Sequence, residues 1–328
     1  MRKFMIFAAF AATLALSCQK NNNTAPENEG VQMTLLASIG DDTRVTYTPD
    51  GNVLKTFWEA EETISVVSFS VDNHKVASID NFTSTGEAGR TTAKFTGTFT
   101  GPEDFSGIMV LYPALQEVEP GIYSTAPYKD YKGNMLSTLD HTHIGYYYFD
   151  GGSAEPLRQV ADDDASHLRN YCVMSGIADN SDIKNNILTA SLENEMTVLK
   201  IHLTVPDAYK GKQLQILKIE AFDSENNSAD FARVATWEYV NIPINHITGA
   251  GGSYEDEAYI YSDIIIPESG QVTLYFANHL FAPIKAGTKW NFSIYVDDTY
   301  SAPGTRVFTS DYTLERGNIY RVSATIPE

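Results

Sequence analysis

Two short groups of residues carry side chains that metal sites use. His141 and His143 are separated by one residue, so on a β-strand both imidazoles would point to the same side. Residues 162–164 are three consecutive aspartates, whose carboxylate oxygens suit calcium. The sequence identifies no further ligand for the histidine pair, and the aspartates lack the spaced ligands and turn glycine of a calcium loop. We therefore interpret the first group as a solvated loop and the second as an acidic bend at the surface.

Motifs of enzymatic catalysis are absent from the sequence. It contains no Gly-x-Ser-x-Gly, no glycine-rich phosphate loop and no His-Glu-x-x-His. The tryptophans Trp58, Trp237 and Trp290 could stack on sugar rings, but Trp58 and Trp290 lie in strand patterns, where core packing is expected. Cys172 has apolar neighbours and is interpreted as a buried thiol. We predict a protein without catalysis, cofactor or metal.

The N-terminal residues have the pattern of a secretory signal peptide. Arg2 and Lys3 precede an apolar run over residues 4–16, which is too short to span a hydrocarbon core of ~30 Å. The run ends in Leu-Ser-Cys18, which resembles the lipobox of bacterial lipoproteins. The resemblance implies that residues 1–17 are removed and that Cys18 carries a lipid; an ordinary signal peptide with a chance cysteine is the alternative. Residues 18–30 are mostly polar and are predicted to form a flexible tether.

Bulk composition favours folded domains rather than disorder. The chain has 328 residues, enough for two domains, and 43% hydrophobic and 12% aromatic residues support a packed core. Its formal net charge of −19 repels phosphate backbones, so nucleic acid is excluded as the expected partner.

Most of the remaining sequence consists of short segments with β-strand character. Apolar and polar residues alternate over 199–205, 290–296 and 320–326, as in strands with one buried face. Other strands are predicted over residues 31–39, 53–58, 63–69, 93–99, 107–112, 144–149 and 272–276. The turn signal at residues 48–52, between 44–47 and 53–58, predicts a hairpin.

The same patterns predict the overall architecture. The nearly continuous apolar run over residues 259–266 indicates a central strand, and residues 182–194 are predicted to contain a short helix. Many short strands without a helical period favour an all-β protein of β-sandwich domains. Because polar residues cluster over 179–194, we place the domain boundary there, with an N-terminal domain over 31–185 and a C-terminal domain over 186–328.

Four segments, taken in order, resemble the fimbrillin-family lipoproteins of Bacteroides-type bacteria. Residues 43–69 read TRVTYTPDGNVLKTFWEAEETISVVSF, with Thr-Arg, a hairpin, a tryptophan-containing strand, an acidic turn and an Ile-Ser-Val strand. The others are NEMTVLKIHLTV at 194–205, AGTKWNFSIYV at 286–296 and LERGNIYRVSATI at 314–326. Together with the lipobox, the resemblance covers most of the chain.

The resemblance implies two transthyretin-like β-sandwich domains in tandem and a pilus subunit that reaches the outer membrane as a lipoprotein. In that family a protease cuts after an arginine early in the first domain, which removes the tether and the first strand. Arg44 matches this position, and Val31–Ile39 would be the strand removed; an exposed arginine that is never cut is the alternative. A strand from a neighbouring subunit would then fill the groove.

The leading hypothesis is therefore a cell-surface fimbrial subunit or fimbrillin-like adhesin with a host or bacterial surface ligand. The chain stops two residues after its last alternating strand, which favours a tip, accessory or anchor subunit over a shaft subunit. The alternative is a surface lipoprotein that binds glycans for uptake, with Tyr146, Tyr147 and Tyr148 as its aromatic cluster. A hydrolase would need a nucleophile or paired carboxylates that the sequence does not identify.

Overall fold

The computed structural model describes residues 30–39, 48–50, 53–55, 57–72, 75–86, 89–119, 122–124, 137–140, 143–147, 158–241, 246–279 and 281–328. The predicted signal peptide, the tether up to residue 29, Cys18, Arg44, His141 and Tyr148 lie outside these residues. The described residues contain three short 3-10 helices, at Ser166–Tyr171, Asn180–Asp182 and Asp207–Tyr209, and no α-helix. The prediction of an all-β protein is confirmed.

The first sheet is built from the N-terminal half and closes on itself. Its strands are β1 (Val31–Ile39), β4 (Thr63–Ser70), β5 (Val76–Ser84), β6 (Thr92–Phe99), β7 (Phe105–Tyr112), β12 (Met174–Ala178), β13 (Ile183–Lys184) and β14 (Ile187–Asn194). The order is β1-β6-β5-β4-β7-β12-β14-β13, and β1 also pairs with β14. Seven strands therefore form a ring, and the predicted strands that begin at residues 31, 63, 93 and 107 are confirmed to within about two residues. The predicted transthyretin-like sandwich of this half is not confirmed.

The helix predicted over residues 182–194 is wrong, because most of this segment is β14. Leu188, Ala190 and Leu192 are buried, and the residues between them are exposed, so the polar residues form the outer face of a strand. β14 joins the sheet of the N-terminal half, although it follows the predicted boundary after residue 185. The division into two domains remains a prediction.

A second sheet joins the two halves through their backbones. Its strands are β8 (Gln116–Glu119), β9 (Ile122–Ser124), β10 (Ser137–Asp140), β11 (His143–Tyr147), β17 (Ala232–Asn241) and β18 (His246–Glu255), in the order β18-β17-β11-β10-β9-β8. The strand expected over 144–149 corresponds to β11, which pairs antiparallel with β17.

The predicted hairpin is confirmed, with a shorter loop. β2 (Thr48–Asp50) pairs antiparallel with β3 (Val53–Lys55), so residues expected in the loop belong to a strand. Asp50 lies opposite Val53, which limits the connection to the two residues between them.

Two further sheets of the C-terminal half share one core. The first consists of β20 (Gln271–Asn278), β15 (Thr197–Thr204) and β24 (Ile319–Thr325), in that order. The second contains β19 (Glu257–Ile265), β16 (Gln213–Phe222), β21 (Lys289–Val296) and β22 (Thr299–Tyr300), and β23 (Gly304–Val307) also pairs with β21. The three alternating strands predicted near residues 199, 290 and 320 are confirmed as β15, β21 and β24.

The segment predicted to be a central strand lies at a sheet edge. β19 pairs with β16 on one side, and on the other the backbone N–H of Asp263 donates to the Gln159 carbonyl at 3.0 Å. The sequence of this segment looks continuously apolar because its tyrosines are counted as apolar. In the structure these tyrosines are only half-buried and lie between the buried residues of the strand. The Tyr259 ring, for example, lies 5.7 Å from the ammonium of Lys218.

Two hydrophobic cores meet at the sheet β20-β15-β24. Val198, Tyr275 and Ile319 belong to the core of the ring. Leu199 and Ile201 belong to the second core, between this sheet and the sheet that contains β16. Because successive residues of a strand point to opposite faces, this one sheet separates the two cores and contacts both.

Glu195 lies directly between β14 and β15 and is held from both halves. Its side chain is buried, with Ser175 Oγ of β12 donating to one carboxylate oxygen and Arg316 Nη1 donating to the other at 2.8 Å. Its backbone carbonyl oxygen lies 2.9 Å from His279 Nδ1. Because a buried carboxylate needs such partners, these contacts restrict the relative orientation of the halves.

Residues 158–164 cover the outer edge of β20. Gln159 is 1% exposed, its Oε1 accepts from the Tyr275 N–H at 2.8 Å, and its Nε2 donates to the Thr273 carbonyl at 2.8 Å. Asp162 Oδ1 accepts from the Thr273 N–H at 2.7 Å. These side chains satisfy backbone groups of an edge that would otherwise be open to another strand.

We predict that Gln159→Leu lowers the free energy of unfolding by about 1–3 kcal/mol, because it leaves the Tyr275 N–H buried without its acceptor. Chemical denaturation measures this change. Gln116→Leu, at an exposed glutamine, serves as the control and is expected to change stability by no more than about 0.5 kcal/mol. Equal stabilities of the two variants would contradict this account of the covered edge.

Candidate functional site

The candidate site is the position of β1 between β6 and β14. β1 pairs antiparallel with β6 over residues 31–38 and parallel with β14 over residues 34–39. A strand inside a sheet directs its N–H and C=O groups to both neighbours. Withdrawal of β1 would therefore leave β6 and β14 each with an unpaired edge, and we call the space between them the β1 groove.

Alternate residues of β1 cover the apolar floor of this groove. Met33, Leu35, Ala37 and Ile39 are at most 6% exposed, whereas the residues between them are half-buried. Burial of each large apolar side chain contributes about 1.5–3 kcal/mol. The segment is therefore held by its side chains as well as by its backbone, and a replacement strand would need the same alternation.

Both ends of β1 are fixed by backbone contacts. Gly30 enters the strand with φ +68°, and a Cβ at this position would lie 2.9 Å from the Phe99 carbonyl oxygen. This backbone conformation and the close contact favour glycine. At the other end, the N–H of Ile39 donates to the Thr91 carbonyl at 2.9 Å.

We predict that Leu35→Ala lowers the free energy of unfolding by about 2–5 kcal/mol, because it creates a cavity in the core beneath β1. Leu36→Ala is the matched control, since Leu36 lies on the opposite face of the same strand and is only half-buried. Its expected cost is about 1 kcal/mol or less. Denaturant titration of both variants measures the difference, and a larger loss in Leu36→Ala would contradict the assigned register.

A half-buried polar pair, Tyr112 and Glu62, packs against the core of the ring. The Trp58 ring packs edge-on against Phe95, directly opposite Leu35 in the register, and against Tyr112, with centroid distances of 5.0 and 5.5 Å. Tyr112 Oη donates to Glu62 Oε1 at 3.0 Å. Among the described residues, Glu62 Oε2 and Trp58 Nε1 are buried without a hydrogen-bond partner.

Burial makes Glu62 titrate near neutral pH. Desolvation raises the pKa of the Glu62 carboxyl to about 7, although the hydrogen bond from Tyr112 acts in the opposite direction. Desolvation and the neighbouring Glu62 charge raise the pKa of Tyr112 well above its ordinary value, so its hydroxyl stays protonated. Ionisation of Glu62 therefore opposes folding.

We predict that Glu62→Gln stabilises the protein at alkaline pH and not at acidic pH. The unfolded chain releases the Glu62 proton near its ordinary pKa of 4.5 and the folded protein near 7, so this group's contribution to stability falls as pH rises between these values. The variant should gain up to about 2–3 kcal/mol over the wild type between about pH 5 and pH 8.

Denaturation of both proteins across this pH range measures the effect as a difference. Burial lowers the pKa of His167 to about 4, so its contribution is lost on acidification in both proteins and cancels. A stability difference that does not change with pH would contradict the role of Glu62.

The aspartates at 162–164 each have a separate local partner. Asp163 Oδ1 accepts from Lys200 Nζ and from Tyr275 Oη, both at 2.6 Å. These hydrogen bonds lower the pKa of Asp163 against the effect of desolvation. Asp164 accepts from the Ser166 N–H and hydroxyl. The three carboxylates therefore bind protein donors rather than converging on one point.

Several interpretations of single residues can be compared with the structure. Trp58, Trp290 and Cys172 are buried, as predicted. His202 of β15 is half-buried, and its Nδ1 lies 3.0 Å from Thr273 Oγ1. His143, Tyr146 and Tyr147 lie in β11, and Trp237 lies in β17.

Two kinds of feature were not found in the described part of the chain. It contains no group of three or more His, Cys, Asp or Glu side chains placed to hold a metal ion. None of its helices is long and apolar enough to cross a membrane.

Sequence reasoning missed the second neighbour of β1. The alternation of Leu188, Ala190 and Leu192 could have identified β14 as a strand, but not its parallel pairing with β1. The partners Ser38 Oγ and the Ala190 carbonyl, for example, are separated by 152 residues. It also missed Glu62, because a single glutamate before a strand gives no signal of burial.

Comparison with known proteins identifies structural neighbours but no family. No family model and no curated protein matches the chain. A proposed cell adhesion protein from Bacteroides ovatus aligns with a TM-score of 0.48 and 13% identity over 90% of this chain and 92% of its own. A fimbrial assembly protein from Parabacteroides distasonis aligns with a TM-score of 0.36 and 16% identity over 90% of each chain. Both TM-scores are below 0.5, so these likenesses identify neither a family nor a function.

Proposed function

We propose that this protein is a cell-surface fimbrial subunit or fimbrillin-like adhesin that joins other subunits by exchange of β1. The observation that carries the proposal is the pairing of β1 on both sides, over a core that it covers with alternate side chains. A groove with two unpaired edges and an apolar floor is suited to strand addition.

The incoming strand must meet three conditions. Its backbone must run antiparallel to β6 and parallel to β14, as β1 does. Its alternate residues must be apolar, with a small residue where Ala37 lies and larger ones where Met33, Leu35 and Ile39 lie. A strand from a second subunit that meets these conditions restores every pairing that loss of β1 removes.

Export and activation complete the proposal. The chain is exported as a lipoprotein, anchored to the outer membrane through Cys18, and folds into two transthyretin-like domains in tandem. Cleavage after Arg44 separates β1 and the tether from the rest of the chain. A subunit that stays uncut remains an anchor, and we favour a tip, accessory or anchor position over the shaft.

We predict that an arginine-specific protease converts the purified protein into oligomers, whereas Arg44→Gln stays monomeric under the same treatment. Cleavage at residue 44 lets β1 dissociate, so that a strand of a second molecule enters the groove. Mass spectrometry identifies the cut, and size-exclusion chromatography with light scattering measures the assembly.

A synthetic peptide of residues 31–39 supplies the specificity control. In excess it should occupy the groove and suppress oligomers, whereas the same peptide with Leu35→Asp should not, because a buried carboxylate would be unpaired. Cleavage at residue 44 without oligomers, or suppression by both peptides, would contradict strand exchange. Mass spectrometry of the protein from intact cells shows whether its N-terminus is acylated Cys18 or Val45.

A further inference from the structure

The C-terminal half contains a pocket that lies apart from the β1 groove. It has a volume of about 160 Å³ and opens between β24 and the edge formed by β23, beside the segment 308–314. Its floor is apolar and buried, formed by Leu199, Ile284, Leu314 and Val322. This volume is smaller than typical sites for drug-sized ligands, which occupy about 300–1,000 Å³, and suits a single ring.

Aromatic rings form one wall of the pocket. Trp290, Phe308 and Tyr312 follow one another edge-to-face, with centroid distances of 4.7 Å and 6.3 Å. Trp290 is buried, whereas Tyr312 is 51% exposed, so the row runs from the floor to the opening. An exposed tyrosine at the mouth of an apolar pocket offers a face on which a ring can pack.

Backbone hydrogen bonds hold this wall in place. Tyr312 and Ile284 exchange both N–H···O=C bonds at 2.9 Å, and the Phe308 N–H donates to the Thr288 carbonyl at 2.9 Å. On the opposite side, the Tyr320 hydroxyl accepts from the Glu315 N–H at 2.8 Å and can still donate its own proton. The pocket is therefore formed before any ligand binds, which reduces the entropic cost of binding.

Arg306 places a positive charge at the opening. It lies directly opposite Trp290 in the pairing of β23 with β21, so both side chains are on the same face of the sheet. The described residues provide no ion pair or side-chain hydrogen bond for its guanidinium, which is exposed. Asp311 belongs to the adjoining segment 308–314, and its carboxylate is occupied by Lys285 Nζ at 3.1 Å and by the Ala286 N–H at 2.8 Å.

An unpaired guanidinium is notable in a chain with a net charge of −19. Such a group binds carboxylates through two parallel hydrogen bonds, which gives both charge and geometric complementarity. The ligand that fits the pocket therefore combines one ring of modest size with one carboxylate. A sugar acid at the end of a glycan has both features, and a surface protein would meet it in solution.

We propose that this pocket binds the terminal sugar of an acidic glycan, with its carboxylate on Arg306 and its ring against Tyr312. The Tyr320 hydroxyl donates to a ring substituent. This site serves ligand recognition and does not depend on strand exchange. An experiment can therefore contradict glycan binding without contradicting strand exchange, and the reverse.

The test compares two methyl glycosides that differ at one carbon. Methyl glucuronide carries the carboxylate, and methyl glucoside carries a hydroxymethyl group in its place. Titration of the purified protein, followed by the indole N–H signals of its tryptophans in NMR spectra, measures affinity and location together. The glucuronide should bind about tenfold or more tightly than the glucoside and should shift the Trp290 signal.

Variants identify the contacts. Arg306→Gln should reduce affinity for the glucuronide to that for the glucoside, and Arg306→Lys should restore part of it. Tyr312→Ala should lower the affinity for both glycosides, because the ring that packs against each sugar is removed. Lys184→Gln removes one exposed charge far along the chain and should change neither affinity, which controls for net charge.

Three results would overturn the proposal. They are absence of glucuronide binding, equal affinities for the two glycosides, and unchanged glucuronide affinity in Arg306→Gln when its unfolding midpoint matches the wild type. Acetate that binds as tightly as the glucuronide would also overturn it, because the ring would then contribute nothing.

Discussion

The double pairing of β1 is the constraint on which the N-terminal half depends. A ring of strands has no open edge only while every position in it is filled, and β1 connects β6 to β14. The same strand covers the core with Met33, Leu35, Ala37 and Ile39. Loss of β1 would therefore expose two unpaired strand edges and an apolar floor at the same time. Only a strand that pairs with both edges and covers the floor would fill this groove.

The edges of β20 and β19, which lie where the two halves meet, are covered by side chains and by the backbone of residue 159 instead of by a paired strand. Gln159 and Asp162 supply side-chain partners to the backbone of β20, and the Gln159 carbonyl accepts from β19. At these edges, side chains and a single carbonyl satisfy the backbone groups that a neighbouring strand would otherwise pair with. The edges are therefore closed without a strand that could be exchanged. The sheet β20-β15-β24 lies between both cores, and Glu195 is held from both halves. The two halves are therefore coupled by packing as well as by the chain.

The two sites use different physical means. In the proposed function, the β1 groove would bind a strand through backbone hydrogen bonds and alternate apolar side chains, which tolerate different sequences of the same pattern. The pocket near Trp290 has a wall held by backbone hydrogen bonds and one unpaired guanidinium, which favour a small ligand of defined shape and charge. The proposed subunit would assemble through its N-terminal half and bind a glycan through its C-terminal half.

Residue patterns were sufficient to predict the class of structure and the position of many strands. Period-two alternation identified β15, β21 and β24, and the apolar neighbours of Cys172 indicated its burial. Cys18 and Arg44 remain predictions from sequence. Long-range packing places β14 beside β1, β19 at an edge, and Arg306 at the pocket, and none of these positions follows from the residue pattern. The reason is that alternation reports only which face of a strand is buried, whereas partners such as Ser38 and Ala190 are 152 residues apart.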